Sequence, residues 1–382
     1  MSSRALIAPL APCFEAWREL DVGGRTVTEA LVAPSHRGPS PVLADALHRW
    51  PGAWYWVDGE RTCLTLVHPL PRPVRERWLL HGVLFLLTAV TTLGAGAALA
   101  GAWFPPERPG LLGALESGVR FFQSLWEGDW RSILRGWSFA VPLLAIMLVH
   151  ELGHYFAARR YAVDVSPPWF LPIPPTLSPV GSLGAFIRLR GPVLDRRQLL
   201  DIGAAGPLAG FVVALLVLLW GYAASYEFPA PGVPATYVFF AGQPIRLGDS
   251  LLTALLRETF LPGARAVHLS LPGFAGWVGA FITGLNLLPL SQLDGGHVLY
   301  GLAGRRQARV ALLALIALLV LAQAWPGWYV WGAIALAMGG GRLTHPSVVM
   351  PERPVPRSRR WIGAACAAVF LLSFVPFPFR AR

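Results

Sequence analysis

The sequence predicts an α-helical polytopic membrane protein with about six to seven transmembrane helices. A re-entrant, β-prone loop and a small N-terminal soluble α+β region complete the expected architecture. Three observations carry this reading. Hydrophobic residues make up 54% of the 382-residue chain, and mean hydropathy is +0.50. Charged residues make up only 14%, against about 25% in a soluble domain. The apolar residues gather in runs of about 20, the length that a helix needs to cross a bilayer. All 32 basic residues are Arg, and the net charge is +11. Those arginines sit at the ends of the apolar runs, so the charge reads as membrane topology and not as a nucleic-acid surface.

Residues 1–77 are the one soluble-looking block. Within it, WYWVDGERTCLTLV reads as a β-hairpin, with aromatic and β-branched runs flanking Asp58-Gly59. The opening MSSRALIAPLAPCFEAWREL has no long apolar stretch after its Arg, so no cleavable signal peptide is expected. Cys13, Cys63 and Cys366 are scattered, with neither ligand spacing nor a disulfide framework. Spans are expected near 79–103, 138–158, 199–224, 275–302, 307–325, 327–340 and 361–379. A membrane core over 78–303 and C-terminal helices over 304–382 follow from this division. Between the second and third runs lies PPWFLPIPPTLSPVGSLGAFIRLR. Its prolines forbid a continuous helix, yet it is too apolar for an aqueous loop, so a re-entrant loop over about 165–192 is expected.

Arginines set the orientation. Arg72, Arg75 and Arg77 precede the first span, and Arg159 and Arg160 follow the second. Arg188, Arg190, Arg196 and Arg197 precede the third; Arg305, Arg306 and Arg309 follow the fourth. With alternating spans these all fall on one side. The opposite loops are balanced: 104–137 holds four Arg and four acids, and 225–274 holds three of each. A cytosolic N-terminus, in the cell membrane of a bacterium, is the expected placement. Arg380 and Arg382 fall on the wrong side and count against the last span.

Residues 148–160, LVHELGHYFAARR, interrupt one such run with ionisable groups. His150 and His154 are four apart, so a helix points both imidazoles from one face, with Glu151 beside them. This is the HExxH pattern of zinc peptidases: two ligands on a helix and a glutamate general base. An ionisable group at the centre of a span costs at least about 2.5–3.5 kcal/mol, which makes chance a poor explanation. A polar knot joining helices is the plainer alternative. A catalytic zinc needs a third protein ligand, and NLLPLSQLDGGH at 286–297 offers Asp294. His150 and His154 lie nine and five residues before Arg159, and Asp294 lies eleven before Arg305. At the helical rise these are roughly 7–14 Å and roughly 16 Å from the basic end, so the groups can meet. Gly295 and Gly296 would let the backbone break beside the ligand. His297 is a second, competing candidate.

HELGH in one apolar run and NxxPxxxLDGG in a later one together resemble the site-2 protease family of intramembrane metalloproteases. The resemblance covers about residues 138–303, including GSLGAFIRL and GPLAGF between the motifs. It implies Zn2+ held by His150, His154 and Asp294, and hydrolysis of membrane-anchored proteins within the lipid bilayer by zinc-activated water, with Glu151 as general base. It also implies that Gly184, Ala185 and Phe186 in the β-prone segment hold an unwound substrate as a neighbouring strand, and that Asn286 contacts substrate. A plug-like hairpin and a helix-to-helix hydrogen bond are the respective alternatives. The loop 225–274 is too short for a PDZ domain, and Ser291-Gln292 stands where many relatives have prolines. Both features are similar to the PDZ-less branch. In GAAGPLAGF, Gly206 and Gly210 read as helix packing, and SLLTALLRETF at 250–260 as an amphipathic interfacial helix. Two other functions are compatible with the pattern. A catalytically inactive scaffold would have lost a motif residue, and none is missing. A metal transporter would favour an inverted repeat, and none is visible.

Overall fold

The computed structural model describes residues 6–22, 25–57, 61–69, 76–102, 110–191, 193–228, 235–240, 242–346 and 348–380. Near the N-terminus, β1 (Phe14–Val22), β2 (Arg25–Val32), β3 (Ala53–Trp56) and β4 (Cys63–Val67) form an antiparallel sheet in the order β1-β2-β4-β3. Helix α1 (Pro41–His48) starts on a Ser40 cap that accepts from Leu43 N–H. Ile7, Leu10, Val32, Leu43, Leu64 and Leu66 close a separate small core here. The expected hairpin strands pair as β3 and β4, from Ala53 opposite Val67 to Trp56 opposite Leu64. The Asp58-Gly59 turn lies outside the described residues.

The rest is mainly helical: α2 (Trp78–Leu99), α3 (Gly110–Trp126), the short α4 (Trp130–Leu134), α5 (Trp137–Arg160), α6 (Arg196–Ala223), α7 (Leu251–Phe260), α8 (Leu271–Asn286), α9 (Asp294–Ala303), α10 (Gln307–Leu321), α11 (Gly327–Met338) and α12 (Arg359–Ser373). Among the described residues, α2, α5 and α6 are long and apolar enough to cross a membrane. The remaining apolar helices are shorter, 16 residues for α8, 15 for α10 and α12, and 12 for α11. The expected single run over 275–302 is two helices. Pro289 cannot continue α8 and disfavours helix at Leu288, and the chain turns through Ser291 at φ +42° before α9 begins.

The proline-rich segment between α5 and α6 is a β-hairpin of β5 (Trp169–Pro172) and β6 (Ser182–Phe186). It lies against α2: His81 Nδ1 donates to Pro168 O at 3.0 Å, and Thr91 Oγ1 donates to Gly181 O at 2.7 Å. The loop 225–274 folds as β7 (Tyr226–Glu227), β8 (Ala235–Phe240), β9 (Gln243–Leu247), α7 and β10 (Ala266–His268). With β11 (Phe379–Arg380) these strands make a sheet in the order β11-β9-β8-β10-β7. Phe379 and Arg380 therefore share a face of the molecule with that loop.

Helices α5, α6 and α8 form the centre, filled by Phe139, Leu143, Ile146, Leu218, Phe274, Trp277 and Phe281. The N-terminal sheet sits against the basic end of this bundle. Gln198 Nε2 donates to Tyr55 OH at 2.6 Å, Arg353 pairs with Glu29, and Val27, Leu194 and Met350 share an apolar contact. Asp195, the N-cap of α6, is buried there, and that burial raises its carboxyl above the ordinary range.

Candidate metal centre

Helix α5 carries apolar side chains all round, as a membrane span does, and buries about half of its length in the bundle. His150 and His154 leave it one turn apart and are only 5% and 6% exposed. Helix α6 lies directly against this face. A Cβ at Gly153 would meet Ala205 O at 2.6 Å, so the two backbones touch. The face of α6 presented here is Ile202, Gly206 and Gly210, at spacings of four. His154 Nδ1 donates to Ile202 O at 2.7 Å, which leaves the Nε2 lone pair free as a ligand. A Cβ at Gly206 would overlap the His154 ring, and one at Gly210 would press on His150 at 3.0 Å. These glycines, read from the sequence as packing, are the wall against which both imidazoles rest.

The break between α8 and α9 delivers the third group. Asp294 is the first residue of α9, where the helix dipole favours a carboxylate. The chain breaks before Asp294 and not at the following glycines. Gly295 and Gly296 instead allow α9 to start against the carbonyls of Leu287, Leu288, Leu290 and Ser291, space that a Cβ would fill. Asp294 Oδ2 is 3.3 Å from Nε2 of both His150 and His154, and the two Nε2 atoms are 3.2 Å apart. A tetrahedral zinc with ligand bonds of about 2.0–2.1 Å places its donors roughly 3.3–3.4 Å from one another. Two imidazoles and a carboxylate at the corners of such a triangle fit that ion in both chemistry and spacing. Among the described residues this is the one group of three such donors gathered closely enough to hold a metal.

The other expected residues fall around this triangle. Glu151 is buried at 6% exposure, near the Ile187 backbone. Asn286, the last residue of α8, brings Nδ2 to 3.3 Å from His150 Nε2. Gly184, Ala185 and Phe186 lie on β6, which pairs with β5 on one side and with no other strand among the described residues. Gly184 takes φ +117°, and Leu183 and Phe186 are exposed. His297 does not join the donors. Its Nδ1 is 2.7 Å from Nε2 of His345, a residue from the segment after α11 that the sequence did not single out. Burial lowers the His345 imidazole below its ordinary range, so it is neutral near pH 7. Gln307 Oε1 holds His345 in place by accepting from its backbone N–H at 3.2 Å.

Residues 138–322, which contain every donor above, match the model of peptidase family M50. The chain is 29% identical over 247 residues to the probable zinc metalloprotease EGY2, chloroplastic, of Oryza sativa subsp. indica, covering 63% of this chain and 42% of that one. It is 31% identical over 237 residues to the probable zinc metalloprotease EGY1, chloroplastic, of Arabidopsis thaliana, covering 58% and 39%. It thus spans less than half the length of these relatives. A site-2 protease from Methanocaldococcus jannaschii aligns with a TM-score of 0.29 and 17% identity, covering 60% of this chain and 83% of that one.

Proposed function

We propose that this chain is an intramembrane zinc metalloprotease that hydrolyses peptide bonds of membrane-anchored proteins. The observation that carries the reading is the triangle of His150, His154 and Asp294 at 3.2–3.3 Å beside the buried Glu151. Zinc, when bound, supplies a Lewis acid that polarises the scissile carbonyl and lowers the pKa of water. Glu151 takes the proton from the attacking water and returns it to the leaving amine. The Asn286 amide, next to the donor triangle, hydrogen-bonds the carbonyl oxygen as negative charge builds on it. His154 is held in the ligating tautomer by Ile202 O.

A helical substrate keeps its peptide groups paired internally, so it must unwind before attack. The unpaired edge of β6 offers the freed N–H and C=O groups a strand to join. Ile187, the residue after β6, lies near Glu151, so a segment docked along β6 runs toward the general base. The long apolar helices support an integral membrane protein, with the arginine-rich ends and the N-terminal region on the cytosolic side. Ala185→Pro removes a backbone N–H from this strand. Cleavage should fall by at least about tenfold while zinc content stays at the wild-type value; equal cleavage by this variant would remove the docking role.

The first test is zinc content in detergent-purified protein. Wild type should hold about one tightly bound zinc per chain, and Asp294→Ala and His150→Ala should each lose it. Zinc that persists in Asp294→Ala would break the three-donor site and favour a non-catalytic relative.

A further inference from the structure

A crevice of about 350 Å³ opens where the basic ends of α5, α6 and α12 meet. Its floor is Gly153 and Ala205, the pair at which α5 and α6 touch. Its polar groups are unequal. Arg359 donates to Asp201 through Nε at 3.1 Å and Nη2 at 2.8 Å, and Tyr161 OH donates to the same carboxylate at 2.5 Å. That acid is therefore fully engaged. Arg160, also on the wall, is exposed and has no hydrogen-bond or ion-pair partner among the described residues. One unneutralised cation thus faces a cavity already lined by hydrogen-bonding groups.

Beyond the crevice, the same face of α6 is apolar. Asp201, Ala205, Val212 and Leu216 fall within about 60° of one another on α6, and Val212 and Leu216 are 57% and 61% exposed. From Ala205 to Leu216 the helix rises about 16 Å, close to the roughly 15 Å thickness of one hydrocarbon leaflet. Phe156, on the α5 wall, is 63% exposed beside it. A cationic pocket at the membrane interface, leading into an exposed apolar stripe one leaflet long, has the dimensions and polarity of a phospholipid.

We propose that this crevice binds an anionic phospholipid, with the headgroup phosphate on Arg160 and an acyl chain along Val212 and Leu216. Basic pockets between membrane helices on the cytosolic side take such headgroups. The site is separate from the donor triangle, so it does not depend on the protease reading. The bound lipid would wedge α12 against the α5–α6 pair, whose other faces hold the donors.

The test is lipid retention by the full chain, read by native mass spectrometry in mild detergent with phosphatidylglycerol or phosphatidylcholine added. Wild type should retain phosphatidylglycerol in preference to phosphatidylcholine. Arg160→Gln should reduce that preference about fivefold, the effect of one interfacial cation, whereas Arg160→Lys should keep it. Zinc content equal to wild type in both variants serves as the folding check. Equal retention of the two lipids by wild type, or an unchanged preference in Arg160→Gln, would overturn the proposal. So would inorganic phosphate at matched concentration displacing phosphatidylglycerol, since the pocket would then take a free anion and not a lipid.

Discussion

Gly206→Ala should weaken metal binding although position 206 bears no donor atom. The added methyl overlaps the His154 ring, and the ring cannot retreat without giving up Ile202 O. Loss of such an outer support typically weakens metal affinity by about 10–100-fold. Gly210→Ala should do less, because there the new Cβ meets His150 at 3.0 Å and a small adjustment relieves it. Competition with a chelator of known affinity measures both. A Gly206→Ala protein that holds zinc as tightly as wild type would mean that His154 is not fixed by α6.

Glu151→Gln should separate chemistry from metal binding. The substitution keeps the shape and leaves His150, His154 and Asp294 untouched, so zinc should remain at the wild-type level. Cleavage of a membrane-anchored substrate should fall by about 10²–10⁴-fold, the usual contribution of a positioned general base. The amide cannot take a proton from water, and raising the pH should not rescue it. Retained turnover in this variant would move the base to another residue, and Asn286 and the open edge of β6 would then need a different mechanism.

The triangle of His150, His154 and Asp294 was legible because its members violate their surroundings. Two histidines four apart and a later aspartate stand out in apolar runs, where an ion pair or a ligand set is the usual reason for such residues. What supports them was not legible. The carbonyl of Ile202 has no signature in sequence, since every residue carries one. Gly206 and Gly210 have the spacing of ordinary helix contacts, and nothing local says that an imidazole lies across from them. The break before Asp294 was anticipated at Gly295 and Gly296, the flexible residues, but Pro289 and Ser291 make it. His345 is 48 residues from His297, and that pairing depends on how α10 and α11 return the chain. The loop 225–274 read as charge-balanced connection because its strands are short and one of their partners, β11, is over a hundred residues away.

The donor triangle also has a bearing on assembly. His154 and Asp294 are separated by 140 residues, and α6, which lies between them in the chain, packs against both α5 and α9. An ion held across this gap acts as a removable cross-link closing a long loop. Its closure entropy grows only slowly with loop length, by about 0.6 kcal/mol per doubling, so the long separation is affordable. A bound metal would then add a tie between segments that already share an apolar core, and chelation would loosen that tie while leaving the packing of α5, α6 and α8 in place.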